Sequence, residues 1–384
     1  MTGKERIMAV LEGGGGGEPD RAPIMHISFS SRVASEILGR DAHVGGGMQQ
    51  WREAAALWNG PDAHEEFRQR TREDAFDIAL ACGHDMVRPT YWRYNVKPTE
   101  RIDEYTFRYE HADGTWEVME LDIRTELYNR VDGSEHPPLT LEDLESIVER
   151  SERGAEAHAP TEESFADLAY ALERAGDELA VRAPGPWTSI PIDEPAWLEA
   201  ALLRPDLVAR HLEAQTTTSL KNIEVVTRMG AQVLFGGGDF ASDLGPMYSP
   251  QVFHDLMLPC LKRISDKCHD LGTYHLFGTD GNVWAVAEDM YGASGLDGHY
   301  EFDRRAGMSP PEVNEKYPHI AMFGNVSSHT LHTGTPEDVR RETRECLEEA
   351  KATNKVVTGC SNIIISETSM ENVRAMLETI EKHR

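Results

Sequence analysis

The segment Lys355-Val-Val-Thr-Gly-Cys360-Ser-Asn362 decides the fold. A short β-branched run ends in a glycine and a lone cysteine, and the helical pattern Met370-Glu-Asn-Val-Arg-Ala-Met-Leu-Glu-Thr-Ile380 follows soon after. The same order recurs upstream. Strand-like runs lie at 179–185, 232–236, 272–277, 295–301 and 319–324, most of them separated by amphipathic helical stretches such as 250–271 and 336–352. Arg21-Ala-Pro-Ile-Met-His26-Ile-Ser reads as a first strand and Asp77-Ile-Ala-Leu-Ala-Cys82-Gly-His84-Asp85 as a second. Eight strands alternating with helices predict an α/β protein with a parallel sheet closed into a (β/α)8 TIM barrel, its site at the strand C-termini.

Around that core, Thr2 and Glu5 have capping-box spacing for an N-terminal helical extension. Tyr105–Glu110 and Trp116–Leu121 flank Ala112-Asp113-Gly114, which predicts a β-hairpin inserted at about 103–127. A charged helical insertion is expected at about 140–177, broken near Pro160, and the whole of 1–384 is read as one barrel domain. The five glycines 13–17 follow no strand and precede no Gly-Lys-Ser/Thr, so they read as a flexible loop and not a phosphate cradle.

Composition narrows the partners. The net charge of −28 disfavours nucleic acid. No apolar run reaches membrane-spanning length, and the N-terminus has no signal-like apolar core. Five scattered cysteines fit a reducing, cytoplasmic setting.

Polar residues near the expected strand ends are the candidate site: His26, His84, Asp85, Asp239, His275, Glu301, Asn325 and Cys360. Histidine, thiolate and carboxylate at one mouth are a donor set for zinc, with three protein ligands and an open position. His275, Cys360 and one carboxylate would suffice. The plainer alternatives are a cysteine that fills apolar space and a histidine that satisfies backbone groups. Asp85 is read as a charge stabiliser or proton carrier, or else as a turn-capping residue. Tyr91, Trp187 and Phe277 are candidate substrate walls, with rim packing as the alternative.

Several segments together resemble the uroporphyrinogen decarboxylase superfamily. They are Thr2–Arg6 with Glu18-Pro-Asp-Arg21-Ala-Pro; Ser249-Pro-Gln-Val-Phe with Leu258-Pro and Leu261-Lys-Arg-Ile; Phe323-Gly-Asn-Val326 with Gly334-Thr-Pro-Glu-Asp-Val339; and Glu371–Met376. The resemblance implies a (β/α)8 barrel with one deep pocket and either of two chemistries. One is cofactor-free decarboxylation with an aspartate at the second strand. The other is zinc-assisted methyl transfer to a corrinoid carried on a partner protein.

His26-Ile-Ser-Phe-Ser-Ser-Arg32 lacks the arginine pair of the decarboxylase pattern, and Cys360 stands where that pattern has histidine. Both points favour the methyltransferase branch. Against it, His275-Leu-Phe277 lacks the second sulfur of a His-x-Cys, and Asp85-Met-Val-Arg-Pro89 resembles the decarboxylase segment. The resemblance therefore implies zinc on His275, Cys360 and Glu301 (Asp239 as the alternative), and Asp85 and His275 as the catalytic pair. It further implies a small methyl donor such as an aryl methyl ether, a corrinoid-protein partner and a homodimer. The expected alternatives are a decarboxylase and a barrel that binds a tetrapyrrole without chemistry.

Overall fold

The computed structural model describes residues 1–13, 17–135 and 137–384. The glycine run expected to be a flexible loop therefore lies largely outside the described residues. Seven parallel strands form one sheet in the spatial order Val356–Val357, Ala321–Phe323, Gly298–Tyr300, Tyr274–Gly278, Val233–Gly237, Ala180–Trp187 and Met86–Val87. Each neighbour in this order is a chain neighbour among the barrel strands, the arrangement right-handed strand–helix–strand crossovers produce.

Residues 23–27 close the sheet. On one side Met25 N–H donates to the Thr358 carbonyl at 3.0 Å, and Thr358 N–H donates back to Pro23 at 2.8 Å. On the other side Asp85 N–H donates to the Ile24 carbonyl at 2.8 Å. The first strand thus bridges the two edge strands, and the protein is the expected TIM barrel.

Side chains alternate in and out along each strand. Met25, Ile27, Met86, Val233, Phe235, Leu276, Tyr300, Ala321, Phe323 and Val357 form the inner core. The opening helix Gly3–Glu12, held by its capping box at Thr2 and Glu5, sends Ile7, Val10 and Leu11 into the same cluster. It plugs the N-terminal end of the barrel. Lys4 N–H donates to Glu178, just before the third strand, and Lys355 Nζ, just before the eighth, donates to the carbonyls of Val10 and Leu11.

One expected element is corrected. Residues 77–81 belong to the helix Pro61–Ala81, and the second strand is Met86–Val87. The run Ile-Ala-Leu-Ala suits a helix as well as a strand, and in the helix Ile78 and Ala79 are buried while Leu80 and Ala81 face solvent. The expected hairpin is present as Thr106–Glu110 paired antiparallel with Trp116–Asp122. Glu100–Arg101 and Leu127–Gly133 extend it to four strands. The helices Leu141–Ala157 and Ala166–Ala175 flank Pro160. No helix among the described residues is long and apolar enough to cross a membrane.

Candidate active site at the barrel mouth

The C-terminal ends of three adjacent strands bring three carboxylates together. Asp239 follows Val233–Gly237, Asp280 follows Tyr274–Gly278, and Glu301 follows Gly298–Tyr300. One carboxylate oxygen from each lies within 4.8 Å of the others. Asp280 N–H donates to Asp239 at 3.4 Å, and the Asn362 amide, from beyond the eighth strand, donates to both oxygens of Asp280 at 3.1 and 2.8 Å.

Gly278 is required here. A Cβ on it would lie 2.2 Å from the Tyr300 ring, which crosses over the fifth strand to donate its hydroxyl to the Gly236 carbonyl. Glu301, the next residue, has φ 65°, a left-handed conformation that is uncommon for a side chain of its size.

Burial raises the Glu301 carboxyl to about 7, helped by Asp280 and Asp239 and opposed by Arg182 and Arg88. Asp280 is raised to about 6, again mainly by burial, with the Asn362 amide pulling the other way. Both are therefore poised to hold or release a proton near neutral pH, the range in which general acids work best.

Beside the acids lies a cleft of about 320 Å3 walled by Arg88, Tyr91, Trp92, Arg182 and Phe235. Tyr91 is one of its lining residues and is otherwise buried. Trp187 ends its strand at the rim with 58% of its surface exposed. Arg88, Arg182 and Asp280 were not anticipated. A signal existed for the arginines: Arg182 interrupts one apolar strand of the parallel sheet and Arg88 directly follows another, where a charge needs a reason.

The other expected site residues lie elsewhere. His275 sits on the outer face of its strand, where Nδ1 meets Ser265 Oγ on the helix Leu258–Asp270 at 2.9 Å. Burial lowers it to about 3, so it is neutral. Cys360 is fully buried in the outer core, and its thiol is pushed up to about 12. Two strands separate the two residues along the wall. At ~4.8 Å per strand they stand roughly 14 Å apart, and outward-facing groups on a barrel diverge. The expected shared zinc on His275, Cys360 and Glu301 is therefore corrected: only Glu301 faces the mouth.

Phe277 shares the outward parity of His275 and packs in the outer core. Asn325, fully buried, donates to the Cys346 carbonyl on the helix Pro336–Thr353. His26 accepts from the Cys360 N–H at 3.0 Å, His84 accepts from the His26 N–H at 3.2 Å, and both rings pack on Phe29. They line the outer wall and not the cleft.

Asp85 precedes the second strand, so it lies at the opposite, N-terminal end of the barrel. Arg21 grips it with two nitrogens at 2.9 and 2.8 Å, Arg6 reaches it at 3.0 Å, and Ile24 N–H donates to it at 2.8 Å. That is a buried anchor for the plug helix, and it corrects the placement of Asp85 at the mouth.

The chemistry of the donor set limits which metal the mouth fits. Three carboxylates with no nitrogen or sulfur suit a hard, oxygen-seeking divalent cation better than zinc.

The chain belongs to the uroporphyrinogen decarboxylase (URO-D) family, whose model matches residues 135–383. No curated protein sequence matches. Among solved structures, a methyltransferase from Methanosarcina mazei superposes with a TM-score of 0.65 at 19% identity, over 100% of this chain and 99% of that one. That likeness establishes the shared fold. A structure of the IOLI protein with a zinc atom covers 60% of this chain and 85% of that one, at 10% identity and a TM-score of 0.28, too loose a superposition to carry an argument.

Proposed function

We propose that this URO-D family member is a methyltransferase that takes a methyl group from a small donor, an aryl methyl ether foremost, for transfer to a corrinoid carried by a partner protein. The observation that carries the reading is the convergence of Glu301 with Asp239 and Asp280 within 4.8 Å at the strand ends, where burial raises the Glu301 carboxyl to about 7 near the arginines of an aromatic-walled cleft. Breaking an ether at carbon leaves the electron pair on oxygen, and a protonated acid within reach of that oxygen turns a poor leaving group into a neutral alcohol or phenol. Glu301 supplies that proton. Burial, and after it repulsion from Asp280 and Asp239, keeps the proton on Glu301. Tyr91 and Phe235 wall an aryl ring and exclude water. The corrinoid supplies the nucleophile when its carrier docks at the open mouth.

Two further points support methyl transfer. The likeness to a Methanosarcina mazei methyltransferase runs from end to end. The N-terminal arginine pair of the decarboxylase pattern is absent, and Cys360 replaces its histidine. A divalent cation held by Asp239, Asp280 and Glu301 would polarise the donor oxygen instead. It would also keep Glu301 ionised, so the acid and metal roles exclude each other.

The test is methyl transfer from methoxylated arenes to supplied cob(I)alamin by the metal-free protein. Demethylated arene formed by wild type and lost in Glu301→Gln is the expected result. No transfer from any arene ether would overturn the reading.

A second reading, carboxylate removal, is favoured by one observation: two arginines stand in the cleft. It predicts release of carbon dioxide from an arene or pyrrole carboxylate with no corrinoid present.

A further inference from the structure

Arg88 and Arg182 are the two cationic groups of the cleft, and neither has a carboxylate partner within it. Arg88 donates only to backbone, to the Thr90 carbonyl at 2.9 Å and weakly to the Ile27 carbonyl at 3.5 Å. Arg182 has a buried Nη1 with no hydrogen-bond partner. The single carboxylate in the lining, Asp167, is already held by Arg72 at 2.7 Å and Arg93 at 2.9 Å. The two guanidinium groups feel each other: burial, and then Arg182, lowers Arg88 to about 10. Two half-buried like charges whose nearby acid, Glu301, is itself raised to about 7 are poorly compensated, and an anion entering the cleft relieves their repulsion.

The rings around them define which anion. The Arg88 guanidinium lies 4.9 Å from the Tyr91 ring centre and 5.1 Å from that of Trp92. The Arg182 guanidinium lies 4.7 Å from Phe235 and 4.8 Å from Tyr300. Guanidinium groups packed against rings in this way still present N–H donors: Arg182 Nη1 has no partner, and Arg88 commits only Nε and Nη1 to backbone carbonyls. Such donors suit the oxygens of a carboxylate. The surrounding rings offer an apolar, planar slot for the body that carries it.

We infer that Arg88 and Arg182 hold the carboxylate of an aromatic substrate, so that the molecule brought to Glu301 is an arene carboxylate and not a neutral arene. This names the substrate class for the methyl-transfer reading and rests on that reading only in taking the cleft as the substrate site. A carboxylate anchored on the arginines fixes the ring's position and turns its far substituents toward the mouth acids, which is how remote binding positions a reacting bond.

Calorimetric titration of the full-length protein with benzoate, benzamide and inorganic phosphate tests the inference. Benzoate is expected to bind at least ~10-fold more tightly than its neutral isostere benzamide, the discrimination a bidentate charge-assisted pair provides. It is also expected to bind more tightly than phosphate. Arg182→Met and Arg88→Met should each weaken benzoate by ~10-fold or more without changing benzamide. Equal affinity for benzoate and benzamide in the wild type, tighter binding of phosphate, or no binding of benzoate overturns the inference, and these comparisons need no variant to fold. Benzoate binding without methyl transfer from any methoxybenzoate would leave the arginine site standing and remove the methyltransferase reading. Transfer from neutral ethers with no preference for benzoate would do the reverse.

Discussion

The Asn362 amide donates to both carboxylate oxygens of Asp280, at 3.1 and 2.8 Å, and so ties the loop after the eighth strand to the loop after the fifth across the mouth. A hydrogen bond to the ionised form favours that form. Asn362 therefore restrains a carboxyl that burial has raised to about 6. Asn362→Leu is expected to move the Asp280 midpoint further upward, read by carboxyl NMR or by the acid limb of a pH–rate profile. An unmoved midpoint would mean that the pair is not formed in solution.

Glu301→Gln should lower turnover by about 100-fold or more, the usual contribution of a positioned general acid. Stability should move the other way, and the sign follows from the protons bound. The folded carboxyl titrates near 7 and an unperturbed one near 4.5, so between those values the folded chain holds the extra proton. Stability is then highest below pH 4.5 for this group and falls as pH rises through 7, by on the order of 3 kcal/mol. Denaturant melts of wild type and Glu301→Gln across that window should show the wild type losing stability and the variant losing less. Parallel curves would contradict the raised carboxyl.

Asp85 should behave as a structural anchor. Asp85→Ala strands Arg6 and Arg21 beneath the barrel with a buried partner gone, at a cost of about 3 kcal/mol or more. Its folded fraction should bind benzoate like the wild type. Normal stability combined with lost ligand binding or turnover would restore Asp85 to the chemistry.

His275→Leu and Cys360→Ala should leave metal content and ligand affinity at wild-type values and lower only stability, by about 1–2 kcal/mol each for disturbed packing and a lost buried hydrogen bond. Elemental analysis of both variants checks this. Loss of a stoichiometric metal in either one would revive the zinc site on the outer wall.

The barrel was readable because short apolar strands alternating with amphipathic helices leave few other architectures. The capping box at Thr2 and the turn at Asp113-Gly114 speak through local chemistry, and both elements formed where they point. The second strand was misread because Asp77–Ala81 carries no residue that separates a strand from a helix. The site was harder for a different reason. A strand of period two says which residues share a face but not which face is inside, and Tyr274–Gly278 shows the consequence: Leu276 turns inward while His275 and Phe277 turn outward. Chemistry-bearing residue types drew attention to His275 and Cys360, yet the parity that places Glu301, Arg88 and Arg182 together depends on how the sheet closes. Asp239 and Glu301 were legible as residues just past strand ends, but Asn325 and Cys360 hold similar positions and turn outward, so position alone does not decide.

Glu301 as proton donor is tested most directly by its own titration. Isotope-labelled glutamate, with wild type and Glu301→Gln compared by carbon-13 NMR from pH 4 to 9, isolates one carboxyl signal. A midpoint near 7 is the predicted result. A midpoint near 4.5, the value of an ordinary glutamate, would leave the mouth with an anion where the mechanism requires an acid.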